Sequence, residues 1–269
     1  VAKVKQIKHI SYSFIHMFAC PYAAFLRYEA GMRSKTTDAL ALGNSLHLAL
    51  EEGHKQPEWS LDFVGNKFLT EYRRIIEDEE VYVTWPKMKK QEAEGLEMLE
   101  LFTRGIEQGK IPAIPYASEK EFKLPFEDEI VVVGKIDRID FDDDGEYIVI
   151  DYKSGSREPD AWFLDHDLQF TTYAWAGYEL FGKLPKELRW HHLRNGKQLV
   201  THRTMKDIEE LQRMLHNALE MNRRDIRYRI YHSQVCNWCE FKGAVCDDRE
   251  LETQLLTQRK ELLNGSEQQ

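Results

Sequence analysis

No run of apolar residues in this chain approaches the ~20 needed to cross a bilayer as a helix, so a membrane-spanning class is not expected. The first nine residues are basic but lack the apolar stretch of a secretory signal, and cytoplasmic residence is the expectation. Positive charge is not in excess either. Lys and Arg total 37 against 46 Asp and Glu, a net charge of −9. A polyanion would therefore have to be met by local basic patches or by bound cations, since the overall field opposes it. No G-x-x-x-x-G-K-[ST] loop occurs, so no helicase motor of that kind is expected within the chain. Repeats and low-complexity tracts are also missing. Cysteine is scarce, with 4 in 269 residues, and in a reducing cytoplasm these stay as thiols competent to bind metal.

What cysteine there is sits unevenly. Cys20 stands alone near the start, while Cys236, Cys239 and Cys246 cluster near the end. Two residues separate Cys236 from Cys239, a spacing that lets two thiolates grip one metal centre. Classical zinc modules unite two close pairs. One distant cysteine plus three clustered ones suits an iron–sulfur cluster with four thiolate ligands at least as well, and zinc is the less favoured occupant. The plain alternative is a set of buried, reduced core residues. The crowding of three cysteines into one short segment argues against it.

The chain is long and apolar enough, at 42% hydrophobic, to bury a sizeable core. Helical periodicity dominates from Ser11 to about Gly109. Leu40, Gly43, His47 and Leu50 recur on one face of a helix over 36–52, and Leu96, Leu99 and Phe102 on one over 91–108. Pro112 and Pro115 then break the pattern. Strands are predicted at 117–126, 130–141 and 146–153, the last two joined by the acidic turn Asp142-Asp143-Asp144-Gly145, read as a solvated turn. A helix over 160–181, strands at 187–194 and 198–203, a helix at 205–224 and a polar C-terminal helix follow. The tail from Asn264 reads as disordered. The implied architecture is an α/β core (116–204) preceded by a helical part (1–115) and followed by helices with the cysteine cluster (205–269), all within one compact domain.

The third strand carries the densest chemistry. It reads Tyr147-Ile148-Val149-Ile150-Asp151-Tyr152-Lys153. Alternation along a strand puts Asp151 and Lys153 on one face, with Ile148, Ile150 and Tyr152 on the other. The preceding strand supplies Asp137, and if the two pair as a hairpin, Asp137 and Asp151 converge. Two ionised carboxylates ~4 Å apart repel by roughly 4 kcal/mol at an effective dielectric of about 20. A divalent cation between them reverses that sign, and oxygen ligands of this kind suit Mg²⁺ or Mn²⁺. Taken alone, a D-x-K triplet is more often an ion pair at a strand end.

Its surroundings change that balance. Ile10-Ser11-Tyr12-Ser13 followed by Cys20-Pro21-Tyr22, Gly43-Asn44-Ser45-Leu46-His47, Gly134-Lys135-Ile136-Asp137-Arg138, Asp151-Tyr152-Lys153, Gln169-Phe170-Thr171-Thr172-Tyr173 and the three late cysteines occur in that order. In this ordered set the chain resembles the RecB-type branch of the PD-(D/E)XK nuclease superfamily. Within that branch it is most similar to the AddB-like and CRISPR-associated RecB-like exonucleases that carry an iron–sulfur cluster. The resemblance spans residues 10 to 246. Ile136 departs from it by replacing the proline of the nominal signature, and the stretch from 54 to 115 matches no motif of the group.

The resemblance implies a restriction-endonuclease-like fold, a mixed central sheet flanked by helices. It also implies roles for particular residues. His47, Asp137, Asp151 and the backbone carbonyl of Tyr152 would hold Mg²⁺ or Mn²⁺, with Glu51 orienting the His47 ring. Lys153 would stabilise charge building on the scissile phosphate, and Gln169 and Tyr173, four apart on a helix, would position water and phosphate. Glu119 and Glu121 share a strand face, and either could add a carboxylate, Glu119 fitting better; solvated edge charges are the comparable alternative. Cys20, Cys236, Cys239 and Cys246 would ligate a 4Fe-4S cluster. Basic residues beside aromatics suit single-stranded DNA, which points to Arg223, Arg224, Arg227 and Arg229, and to Lys87, Lys89 and Lys90 near Trp85. Faces balanced by nearby glutamates are an equal reading of these clusters. The expected activity is a metal-dependent DNA exonuclease working on ends in recombination, repair or replication, alone or beside a separate helicase or recombinase. An endonuclease of the same fold and a non-catalytic DNA-binding scaffold are the alternatives.

Overall fold

A computed structural model describes residues 3–17, 20–33, 35–224, 234–237, 239–243 and 245–266, with the backbone alone at 16, 224, 234, 235 and 264–266. The chain forms two compact units. One takes residues 1–34, 123–134 and 206–269, and the other 35–122 and 135–205.

The second unit is built on strands β2 (Ala117–Glu127), β3 (Ile130–Phe141), β4 (Tyr147–Lys153), β5 (Glu187–His192) and β6 (Gln198–Thr201), of which β2 and β3 each begin or end in the first unit. β3 and β4 pair antiparallel with Arg138 opposite Ile150, β4 and β5 pair parallel, β5 and β6 antiparallel, and β2 lies beside β3. The sheet is therefore mixed, as expected.

Three long helices cover one face of that sheet: α3 (Asp38–His54), α4 (Leu61–Asp78) and α5 (Trp85–Glu107). Each start has a local cause. The Thr37 side chain accepts from the Leu40 amide and the Ser60 side chain from the Phe63 amide, satisfying donors that the helix leaves orphaned. Pro86 opens α5, where its missing N–H costs nothing. Leu42, Leu46, Leu50, Phe68, Met98, Leu99 and Phe102 pack with Ile148, Ile150 and Tyr152 of β4 into one core. Each such fully buried side chain contributes roughly 1.5–3 kcal/mol. Gly95 makes the packing possible, since the Phe68 ring occupies the space its Cβ would need. Leu40 and Leu96, expected on inner faces, are exposed instead. The buried stripes are turned toward their neighbours, leaving His47 half-open at the edge of α3.

The helix expected over 160–181 is broken into α6 (Ala161–Asp165) and α7 (Leu168–Phe181). Asp167 is the reason: its carboxylate accepts from the Gln169 and Phe170 amides, the geometry of a new N-cap. Gly182, left-handed at φ 70°, ends α7. Asp142 accepts from the Asp144 and Glu146 amides and pairs with Lys186, so the acidic segment is a hydrogen-bonded turn.

The first unit contains β1 (His9–Ile10), which runs parallel to the opening residues of β3, then α1 (Ser13–Met17) and α2 (Pro21–Ala24), which passes into a π-helical turn at Phe25–Glu29. It also holds nearly all of α8 (Met205–Arg224) and the whole of α9 (Arg249–Ser266). α9 runs on through 264–266, where disorder was expected; 267–269 lie outside the described residues. Distant parts of the chain meet here. Glu29, buried, accepts from Asn222 and Arg259, and Arg259 also bonds the Asn222 carbonyl. Arg27 grips both oxygens of Glu240. A buried carboxylate paired on two sides holds its elements in one register, and removing one partner would be costly. No helix among the described residues is long and apolar enough to cross a membrane.

Candidate metal centre and catalytic ring

The chemistry-bearing residues of the second unit converge around the interior strands β3 and β4. Asp137 on β3 and Asp151 on β4 are next in register after the Arg138–Ile150 pair. Asp137 is anchored, because its Oδ2 accepts the Tyr152 amide at 2.8 Å. His47 on α3 brings Nε2 to 3.1 Å from the Tyr152 carbonyl, and its Nδ1 lies 3.5 Å from both Glu119 Oε1 and Asp137 Oδ1. His47, Glu119 and Asp137 thus present one nitrogen and two oxygens within 4.8 Å of one another, a group able to hold a metal ion. Among the described residues no other such group of histidine, cysteine or acidic side chains occurs, and Asp151 lies outside the trio.

Glu119 reaches this position through an unusual backbone. It adopts φ 50° within β2, a left-handed conformation that costs a non-glycine residue about 1–3 kcal/mol. That twist breaks the alternation expected of β2. Glu119 turns inward while Glu121 is exposed, so the two do not share a face. Lys135 Nζ contacts Glu119 Oε2 at 2.5 Å, a partner for which sequence reasoning had assigned no role. Glu51, expected to orient the His47 ring, accepts instead from Lys55, the C-cap residue of the same helix. The ring is oriented by the Tyr152 carbonyl and by Glu119 and Asp137.

A closed ring of polar contacts flanks the trio. Lys153 Nζ lies 2.6 Å from Asp151 Oδ2 and donates to Gln169 Oε1 at 2.9 Å. Gln169 Nε2 donates to the Tyr173 hydroxyl at 2.8 Å, and that hydroxyl donates to Asp151 Oδ1 at 3.4 Å. The four-residue spacing of Gln169 and Tyr173 on α7 makes this closure possible. Asp151 Oδ2 is buried and, despite the short ion-pair distance to Lys153, lacks a well-aligned hydrogen bond. Gly43 belongs to the same construction, since the Ser154 hydroxyl just beyond Lys153 approaches to 3.2 Å of where its Cβ would be.

The electrostatics follow from this crowding. Burial alone would lower the His47 imidazole, but the Asp137 and Glu119 carboxylates outweigh it and lift it to about 10. Burial pushes the Asp151 carboxyl up, Lys153 opposes the shift and Asp137 adds to it. The donor set of imidazole and carboxylate oxygens suits a hard divalent cation of the Mg²⁺ or Mn²⁺ type.

Behind the sheet lies a network that the sequence reading missed. Arg138, wholly buried, makes two bonds to Asp140, donates to the Pro112 carbonyl and approaches His54 Nε2 at 3.3 Å and the Tyr152 hydroxyl at 3.5 Å. Burial, then Arg138, lowers His54 and also His191 to about 4, so both stay neutral. Tyr152 is therefore held by its phenol on one face while its amide and carbonyl serve the acidic centre on the other. An Arg and an Asp two apart on a strand that otherwise reads as core were the available signal.

Of the basic residues expected to meet DNA, those whose side chains are described pair with carboxylates. Arg223 pairs with Glu220 and Asp128; Lys87 with Asp38; Lys89 with Glu92 while lying over the Trp85 ring; Lys90 with Glu94. The Arg224 side chain, Arg227 and Arg229 lie outside the described residues. In the first unit, Cys20, Cys239 and Cys246 pack against one apolar cluster that includes Tyr22, Phe25 and Phe241, and all four cysteines are half-buried and not disulfide-bonded. Burial raises the Cys239 thiol, and Cys20 and Cys236 are near enough to raise it further.

A family model described as PD-(D/E)XK nuclease superfamily matches residues 9–247. The chain belongs to the PD-(D/E)XK nuclease superfamily. That assignment makes it a member of a group of metal-dependent nucleases, with nucleic acid as the substrate that the fold implies. No curated protein matches the sequence. Among solved structures, one described as "Crystal structure of SSO0001" aligns with 13% identity and a TM-score of 0.41, covering 88% of this chain and 85% of that one.

Proposed function

We propose that this superfamily member is a RecB-type DNA exonuclease that hydrolyses phosphodiester bonds from DNA ends, prefers single strands and serves recombination, repair or replication. The observation that carries the reading is the closed Lys153–Gln169–Tyr173–Asp151 ring standing beside the His47–Glu119–Asp137 trio. The trio, with Asp151 and the Tyr152 carbonyl at its margin, would hold Mg²⁺ or Mn²⁺. A cation there supplies a water ionised near neutral pH and polarises a phosphoryl oxygen.

The chain's own groups do the rest. Lys153 is paired with Asp151 and aimed by Gln169, so its ammonium is pre-positioned against negative charge developing on the phosphate. Tyr173 and Gln169 hold each other in place, which fixes the amide that faces Lys153. Asp137, anchored on the Tyr152 amide, keeps its second oxygen toward His47. The net charge of −9 and the carboxylate partners of Arg223 and Lys87 disfavour wrapping a long duplex, which favours a single strand entering from an end.

The same reading places a 4Fe-4S cluster on Cys20, Cys236, Cys239 and Cys246. Soft thiolates in an apolar setting suit such a cluster. The deciding experiment is digestion, with Mg²⁺ or Mn²⁺, of end-labelled linear single strands beside covalently closed single-stranded circles. Linear strands should be degraded to short products while circles survive. Rapid cutting of circles would instead identify an endonuclease, and binding without cleavage a scaffold.

A further inference from the structure

Residues 154–168 leave the catalytic ring and return to it. The segment begins after Lys153 and ends before Gln169, and those two side chains meet at 2.9 Å. It is thus tethered to the ring at both ends. Along it stand three exposed groups that contribute little to the fold. Trp162 is 70% exposed and Phe163 57%, side by side on α6. Arg157 is exposed and makes no ion pair or hydrogen bond among the described residues. In that it differs from Arg223, Lys87, Lys89 and Lys90, whose charges are met by carboxylates.

The aromatic rings are held out rigidly. Leu164, next to them, is buried, and Asp165 accepts from the Thr201 hydroxyl at 2.8 Å. Buried Arg203 donates to the Leu164 and Asp167 carbonyls at 2.9 and 3.0 Å, pinning α6 from below. The fold thereby forgoes the burial of two large apolar side chains. Trp162 is also braced from one side. The His166 ring stacks on it with centroids 4.5 Å apart and planes inclined by 24°, while His166 Nδ1 donates to the Trp162 carbonyl at 2.7 Å. At its high exposure the other face of the indole is open. A fixed ring with one open face, beside an uncommitted guanidinium, offers an unpaired strand both contacts it needs: bases stack on the ring and a phosphate meets the arginine. The neighbouring carboxylates are committed elsewhere. Glu158 is bonded by Lys197 and Asn195, Asp160 and Asp167 cap helices, and Asp165 takes Thr201.

We propose that Trp162 and Phe163 stack on unpaired bases of a DNA strand and that Arg157 holds its phosphate, so that this rim presents the strand to the catalytic ring. The choice of polymer rests on the nuclease reading; the stacking is tested apart from cleavage. Fluorescence anisotropy in EDTA, where no strand is cut, compares a labelled oligothymidylate with an abasic phosphodiester strand of the same length. The wild-type protein should bind the oligothymidylate about ten-fold more tightly, since only that strand can stack. Trp162→Ala, a surface change, should remove most of this preference and leave abasic binding as it was. Phe163→Ala should act in the same direction, and Trp162→Phe should retain the preference. Arg157→Gln should weaken both strands alike and lower the slope of log affinity against log salt by about 0.7, one single-strand phosphate contact. Three outcomes overturn the proposal: equal binding of the two strands by the wild-type protein, a full preference in Trp162→Ala, or an unchanged affinity and slope in Arg157→Gln. Protein that cuts linear strands with Mn²⁺ yet gives any of these results keeps the nuclease reading and loses this one. Protein that neither cuts nor binds any strand loses both.

Discussion

The protonation of His47 offers the sharpest test of the acidic centre. In the metal-free protein, Asp137 and Glu119 lift the imidazole from 6.5 to about 10, so at about pH 7.5 it is an imidazolium bonded to the Tyr152 carbonyl. That lift corresponds to roughly 5 kcal/mol of preference for the charged ring. Solvent screening trims the figure, because the side chain is 28% exposed. The sign is that of a raised pKa. Stabilisation of the metal-free fold is fully present below the unfolded value of 6.5 and is lost as pH rises through about 10. Metal affinity has the opposite slope. To offer a nitrogen to a cation, His47 must first shed its proton, so Mn²⁺ should bind about ten-fold tighter per pH unit between about pH 7 and 9. Calorimetry in two buffers of different ionisation enthalpy should count about one proton released per Mn²⁺ bound at about pH 7.5. His47→Gln should bind metal more weakly, release no proton and lose the pH slope. A wild-type protein that releases no proton, or a His47→Gln variant that still releases one, would refute the assignment of His47 as the titrating ligand.

Tyr173→Phe should lower kcat about ten-fold with little change in Tm, since it removes one hydroxyl that closes the Lys153–Asp151 ring while keeping its bulk; an unchanged kcat would show the ring to be structural only. Gly95→Ala should destabilise the fold by about 1–3 kcal/mol in urea titration, because its Cβ would sit 2.1 Å from the Phe68 ring. Arg138→Met should cost about 3–5 kcal/mol by stranding the buried Asp140 carboxylate, and adding Asp140→Asn should recover part of the loss. If the single change is neutral, the network behind the sheet does not hold Tyr152. Protein isolated without oxygen should be brown, absorb broadly near ~400 nm and contain about four irons, and Cys20→Ser should lose colour and thermal stability together; colourless protein with one zinc would remove the cluster and leave the staple.

The arrangement of β4 was readable in advance because its signals are local. Alternation along β4 separates Asp151 and Lys153 from Ile148, Ile150 and Tyr152, and the core does hold those three. Gln169 and Tyr173, four apart, had to share a helix face, and the chain needed only the Asp167 cap to set where that helix began. The strands at 117–127, 130–141 and 147–153 fall where composition and turns put them.

Tertiary packing decided what those local signals do not encode. The left-handed φ of Glu119 follows from no preference of glutamate, and only the fold around it sustains it, yet it separates an inward carboxylate from an exposed one two residues on. Glu51 had an equally plausible partner in sequence terms, and the geometry of α3 gave it to Lys55. Whether a lysine cluster is an open cationic face or a set of satisfied ion pairs depends on which carboxylates other elements bring near, as Asp38 does for Lys87. Arg138 is a charged residue whose burial becomes tolerable only when Asp140, His54, Pro112 and Tyr152 assemble around it. Periodicity reports which face a side chain takes on its own element. Which partner it meets there is a property of the packed structure, because the interaction energies that select it act between residues far apart in the chain.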